Sequence, residues 1–433
     1  MLLNHTDKDQ NMTTSFPEGF FWGVASAAHQ VEGNNTNSDL WLLEHVPGTI
    51  FAEPSGDALD HYHRYAEDIA LIASLGFDTY RFSLEWARIE PAPGEYSVAE
   101  LDHYRRMLEQ CHAHGLRPVV TFHHFSSPRW LLAAGGWEDP ETPARFARYC
   151  AVAMEHLGDL IDMACTLNEP NLPYLLAELG ITGEPPEARA EIPVWANAAA
   201  ELGIDPARIA PFQFNATPTG FAIKVAAHRA ATEAIKSVRP DLPVGWTLAN
   251  TDVQAAPGGE AYAERVRAAV NVRFLEISRD DDFVGIQNYG RHVFGADGLL
   301  GAEPGMPVNS QGEEIYPAGL AAAVREAWDV AAVPVVVTEN GLATDDDAQR
   351  VGFLEGALEG LAEAIRDGVD VRGYIAWTAF DNYEWIFGYA PKFGLIAVDR
   401  TTQRRTPKPS AHWLGEVARS NGAGIGALIG ATR

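Results

Sequence analysis

Residues 163–170 read MACTLNEP: a short apolar run that ends in an amide, a carboxylic acid and a proline. The run has the length and character of a buried strand, which places Asn168 and Glu169 at its C-terminal end. Residues 335–341, VVVTENG, repeat the pattern and bring Glu339 to the end of a second run. Working outward from these two, similar runs occupy 20–25, 78–82, 118–122, 244–248, 282–287 and 372–377. Between them lie stretches with helical spacing of apolar residues, such as 101–114, where Leu101, Tyr104, Leu108 and Cys111 share one face, and 351–365.

Strands alternating with helices are the signature of βα units around a parallel sheet, and eight such runs predict a single closed (β/α)8 TIM barrel. A chain of 433 residues exceeds the roughly 250 of a minimal barrel. No Gly/Ser-rich or Pro-rich linker divides it, so the excess is assigned to long loops at the C-terminal face, chiefly 180–220 and 289–319. Residues 1–15 are polar and unpatterned and read as a disordered leader, with one catalytic domain over 16–433.

Composition excludes several classes of partner. A formal charge of −27 repels phosphate backbones and anionic lipid surfaces, which argues against nucleic-acid and membrane partners. No apolar run reaches the roughly 18 residues of a membrane span, and 1–16 is too polar for a signal peptide, so a cytoplasmic location is expected. Cys111, Cys150 and Cys165 have neither disulfide-framework nor zinc spacing. No metal and no cofactor is expected.

A TIM barrel holds its active site at the C-terminal strand ends. In this sequence those ends carry Arg81, His123 and His124, Asn168 and Glu169, Gln287 and Tyr289, Glu339 and Trp377. Two carboxyl groups expected to face each other across a barrel mouth suit glycosidic bond cleavage. One protonates the leaving oxygen, and the other attacks the anomeric carbon if the two are about 5–5.5 Å apart. Arg81 can hold Glu339 ionised with a hydrogen bond from Tyr289, while apolar walls can raise the pKa of Glu169. Glu169 is thus the candidate acid/base and Glu339 the candidate nucleophile, acting on a small-molecule glycoside or oligosaccharide.

Six ordered segments, FPEGFFWGVASAAHQVEG (16–33), YRFSLEWARIEP (80–91), TLNEP (166–170), TENG (338–341), GYIAWTAFDNYEW (373–385) and KFGL (392–395), resemble glycoside hydrolase family 1, the β-glucosidase family. The resemblance runs from Phe16 to about Val417. It implies that Asn168 binds the sugar 2-hydroxyl and that Gln30, His124, Glu384 and Trp385 read the remaining hydroxyls. Trp377 then forms the apolar floor under the sugar and Phe393 a side wall. Glu384 argues against 6-phosphorylated sugars, and Glu169 against the thioglucosidases of the family, which lack that carboxylate.

Departures from the family pattern fall around the pocket. Phe125 stands where Trp is usual, Gln287 where Asn is usual, and Glu85 within a stretch where a small Ser is common. These leave the choice among glucosides, galactosides and fucosides open. Glu313 occupies a position where the family often has a Trp that stacks on the leaving group, and Trp195 in the unfamiliar 180–220 stretch is a candidate contact on that side. Two competing readings fit the residues less well. A metallohydrolase using His61, His63, His123 and His124 lacks ligand spacing. A catalytically silent sugar-binding barrel would be expected to lose a carboxylate first.

Overall fold

The computed structural model of the chain describes residues 16–423 and 425; the expected leader at 1–15 lies outside them. Eight parallel strands close into a barrel: β1 (Phe21–Ala25), β2 (Thr79–Ser83), β3 (Arg117–His123), β4 (Met163–Asn168), β5 (Val244–Ala249), β6 (Val284–Gln287), β7 (Val335–Glu339) and β8 (Val371–Ala376). Each pairs with its neighbour in sequence, and β8 returns to β1 through Phe21–Gly373 and Val24–Ala376. β5 and β6 stand between β4 and β7 on one side of the ring, which sets the two nearly opposite. The crossover helices include α1 (His61–Ser74), α2 (Val98–Ala113), α3 (Thr142–Leu157), α4 (Leu172–Glu178), α5 (Pro193–Leu202), α6 (Pro218–Val238), α7 (Gly319–Ala331), α8 (Asp347–Arg366) and α9 (Pro409–Arg419). Side-chain caps define several starts: Ser97 accepts from Glu100 N, Thr217 from Gly220 N and Asp346 from Ala348 N.

Strand alternation divides the core in two. Phe21, Val119, Cys165, Val336 and Ile375 fill the barrel interior, while Trp22, Val120, Ala164, Val335 and Val337 pack outward on the helices. Two strands break the alternation at their C-terminal ends. β4 shifts register against β5 between Cys165 and Asn168, and β7 shifts against β6 between Val337 and Glu339. With Cys165 and Val336 inward, strict alternation sends Asn168 and Glu339 outward; the shifts turn both back to the barrel mouth.

The two expected loops have structure of their own. Residues 180–220 contain short helical elements at Pro186–Glu191, Pro193–Leu202 and Pro206–Arg208, each beginning with the proline. Proline's fixed φ suits the first turn of a helix, so residues read as loop formers are here helix starters. In 289–319, strands Arg291–Gly295 and Gly298–Leu300 join Asp252–Ala255 in a small three-stranded sheet beside the barrel. Among the described residues no helix is long and apolar enough to cross a membrane.

Candidate active site

The C-terminal strand ends surround a cavity of about 450 Å³ whose lining includes Glu169, Glu339, Glu384, His124, Trp377 and Tyr289. Arg81, on β2, is 1% exposed and organises its floor. Its five N–H donors all find acceptors: Glu339 Oε1 at 2.6 Å, Asn168 Oδ1 at 2.5 Å, Thr121 Oγ1 at 3.1 Å, the Thr338 carbonyl at 3.3 Å and Thr247 Oγ1 at 3.4 Å. Tyr289 donates from its hydroxyl to the other Glu339 oxygen at 2.5 Å. Both oxygens of Glu339 are therefore clamped by donors, one of them cationic.

Glu169 lies one residue past β4. Its backbone is in the left-handed region at φ 47°, a conformation a non-glycine residue adopts at some energetic cost, and its N–H donates to the Thr247 carbonyl at 2.8 Å. The turn is pinned from behind. Asn171 donates to the Ala249 carbonyl at 2.8 Å and accepts from Ala249 N at 2.9 Å, and the buried Lys224 Nζ donates to the carbonyls of Asn215 at 2.9 Å and Pro170 at 3.4 Å. Phe125 and Trp385, also lining the cavity, share the left-handed backbone with φ of 67° and 51°. Gly341 supplies the close approach on the other side, since a Cβ there would overlap the Trp377 carbonyl.

Burial raises the pKa of both central carboxyls, and their neighbours separate them. At Glu339 the Arg81 charge and the hydrogen bonds from Tyr289 and Arg81 oppose the rise. At Glu169 the negative charge of Glu339 adds to burial and holds the group well above the usual carboxylate range. No protein group among the described residues hydrogen-bonds the Glu169 carboxyl. Glu339 is consequently the first of the two to ionise, and Glu169 keeps its proton. Burial and then the charge of Glu339 push Glu384 up as well.

The remaining candidates line or back the same cavity. Asn168 accepts from Arg81, from Gln287 Nε2 at 2.8 Å and from Thr247 at 3.1 Å, leaving its Nδ2 with no partner among the described residues. Gln30 Nε2 donates to the Tyr383 carbonyl at 2.6 Å and lies 3.4 Å from Glu384 Oε2. Gln30 Oε1, Gln287 Oε1, Glu384 Oε1 and His124 Nδ1 are likewise buried without a partner among the described residues. His124 stacks on both Trp377, at 5.7 Å, and Trp385, at 5.8 Å. Burial and then Arg81 hold its imidazole well below the usual range, so it is neutral. Phe393 meets Tyr289 edge-on at 5.7 Å, and Phe125 meets Trp385 edge-on at 5.0 Å.

The other histidines and Trp195 lie elsewhere. His123 points away from His124, to Ser127 at 2.9 Å and among Trp137 and Phe212. His61 bonds Asp68, and His63 bonds Asp60 on the surface. The four do not converge. Trp195 corrects the reading of 180–220: the apolar face of α5 packs inward, and the ring is buried 5.5 Å from Phe214, which itself lines the cavity. Glu313 does border the mouth, held by Asn309 at 3.0 Å. Glu85 caps the turn Trp86–Ile89 behind the pocket, accepts from Ser126 at 2.9 Å and is pushed up to about 7 by burial. Thr247, Asn171 and Lys224 escaped the sequence reading; only Asn171, directly after the NEP string, had a local signal.

A (β/α)8 barrel with two buried carboxyls in unlike environments at its C-terminal mouth defines a barrel glycoside hydrolase. The sequence profile of glycosyl hydrolase family 1 matches residues 12–294 and 286–423, and the chain belongs to that family. It is 32% identical to thermostable β-glucosidase B of Thermobispora bispora, over 94% of this chain and 91% of that protein. It superposes on the crystal structure of β-glycosidase BGL167 with a TM-score of 0.92 at 68% identity, covering 93% of this chain and 97% of that one. For the apo structure of β-glucosidase 1317 the TM-score is 0.87 at 43% identity, with 93% and 98% covered.

Proposed function

We propose that the protein is a retaining β-glucosidase that removes terminal non-reducing β-D-glucosyl residues by double displacement. The observation that carries the reading is the unequal treatment of the two acids: Glu339 is clamped by Arg81 at 2.6 Å and Tyr289 at 2.5 Å, whereas Glu169 is buried beside that charge with no hydrogen bond to its carboxyl from any of the described residues. An ionised Glu339 attacks the anomeric carbon while protonated Glu169 delivers its proton to the departing oxygen. Bonding to the sugar then neutralises Glu339. That removes the repulsion raising the pKa of Glu169, and the Glu169 carboxylate left by the first step is a competent base for the incoming water. The reading places the two carboxyls about 5–5.5 Å apart.

In the same reading, the partnerless atoms of Asn168, Gln30, Gln287, Glu384 and His124 meet the hydroxyls of the sugar. Each such buried atom costs ~1–3 kcal/mol when left unpaired, so a polyhydroxylated ring satisfies several at once. Trp377, Trp385, Phe125 and Phe393 cover its apolar faces. The relatives named above are described as enzymes, which leaves the silent sugar-binding alternative without support. We also place the protein in a reducing, cytoplasmic compartment, a reading supported by Cys111, Cys150 and Cys165, all free and buried. The test is a panel of aryl β-D-glucosides, β-D-galactosides and β-D-fucosides alongside the α-glucoside. Turnover of the β-glucoside with the α-anomer inert is expected; inertness of every β-glycoside would overturn the assignment.

A further inference from the structure

Above the candidate sugar site the cavity opens between two unlike walls. On one side, α4 and the residues just after it turn Leu172, Leu175, Leu176 and Leu179 to the cavity, with spacings of three, one and three residues that keep them on one helix face. Ile181, 53% exposed, Phe387, 48% exposed, Phe214 and Ile386 add to the apolar part of the lining. A surface-facing helix ordinarily turns charge to water; contiguous hydrocarbon at the rim of a catalytic cavity marks a ligand contact.

The polar part of the lining is largely paired within itself, the exposed Gln311 apart. Arg291 reaches both Glu314 oxygens at 2.9 Å and Gln254 at 2.8 Å, His292 Nδ1 lies 2.7 Å from Thr251 Oγ1, and Glu313 is held by Asn309 at 3.0 Å. Gln213, in the same cavity, has a buried Oε1 with no partner among the described residues and offers one acceptor. A second sugar presents several hydroxyls that must all exchange water for protein partners. Hydrocarbon needs none.

Resting on the β-glucosidase reading, we propose that the leaving-group subsite accepts an extended apolar aglycone, an alkyl chain or an aryl ring, in preference to a second sugar. Leu176, Leu179 and Phe387 are its specificity-determining residues. The reaction is ordinary hydrolysis: water adds across the glycosidic bond, and glucose and the free alcohol leave.

The test measures kcat/KM for methyl, butyl, hexyl and octyl β-D-glucosides and for cellobiose. Each methylene laid on the leucine wall is expected to raise kcat/KM about threefold to fourfold until the wall ends, with octyl glucoside exceeding cellobiose. The double variant Leu176→Asn/Leu179→Asn is expected to cut the octyl-to-methyl ratio at least tenfold, and Leu179→Met to preserve it. Because the readout is a ratio within each protein, a loss of folded enzyme cancels. A flat series with cellobiose favoured would overturn this inference while leaving the β-glucosidase reading intact. Absence of turnover on every β-glucoside would instead remove the reading beneath it.

Discussion

Replacing Tyr289 with Phe removes one oxygen and tests how Glu339 is kept ionised. The Tyr289 hydroxyl donates to Glu339 Oε2 at 2.5 Å inside a buried site, and the same bond opposes the rise that burial imposes on the Glu339 pKa. Hydrogen bonds to charged groups contribute ~1.5–3 kcal/mol, and one pKa unit corresponds to about 1.36 kcal/mol. Loss of the bond therefore moves the Glu339 pKa upward by about 1–2 units, toward the lower figure where water from the cavity takes the vacated place. On the proposed mechanism Glu339 must be ionised to attack, so activity is lost as pH falls through its pKa. The acid limb of kcat/KM, which reports the free enzyme, is expected to shift to higher pH by that amount. The assay is a pH–rate profile with an aryl β-D-glucoside for wild type and Tyr289→Phe. An acid limb that stays in place, or moves to lower pH, would refute the clamp as the source of the ionised state.

Four further outcomes follow from the same geometry. Glu169→Ala should retain activity mainly on glycosides with good leaving groups and recover with added azide, and its basic limb should disappear, because the raised Glu169 proton is the one lost at high pH; Glu339→Gln should be nearly inert on all substrates. Arg81→Met strands the buried Glu339 charge and breaks the contact to Asn168, so denaturant unfolding should show a loss of about 3–5 kcal/mol if Glu339 stays ionised, and an acid limb moved further up than in Tyr289→Phe. Asn168→Ala removes the free Nδ2 donor, and the wild-type advantage of a β-glucoside over its 2-deoxy analogue should shrink, measured as a ratio of kcat/KM values.

Much of this molecule is legible in its sequence because barrel chemistry is tied to strand ends. The runs at 163–167 and 335–338 lie within or against β4 and β7, and the carboxyl groups that follow them face one cavity. What local pattern does not carry is parity. With Cys165 and Val336 inside, simple alternation puts Asn168 and Glu339 on the outer face, and only the register shifts beside β5 and β6 return them to the mouth. The adjacent His123 and His124 show the converse: alternation sends them to opposite sides, and one lies in the aromatic core while the other lines the pocket.

Long-range supports left little trace in the chain. Lys224 reaches the Pro170 carbonyl from 54 residues away, and nothing near it in sequence distinguishes a buried lysine from a surface one. Trp195 illustrates the opposite error. A large aromatic in an unfamiliar insertion looks like a ligand contact, yet the proline that begins α5 makes a helix whose apolar face turns to the core. The leucine wall of α4 was equally hidden, since an apolar helix face reads as core until its neighbours are known.

The most direct test of the two-step reaction is proton NMR of the first hexose released from an aryl β-D-glucoside, recorded before mutarotation. Attack by Glu339 followed by water on the same face yields β-D-glucose first, with the α-anomer growing in later. α-D-Glucose as the initial product would mean a single inversion, and the covalent role assigned to Glu339 would be wrong.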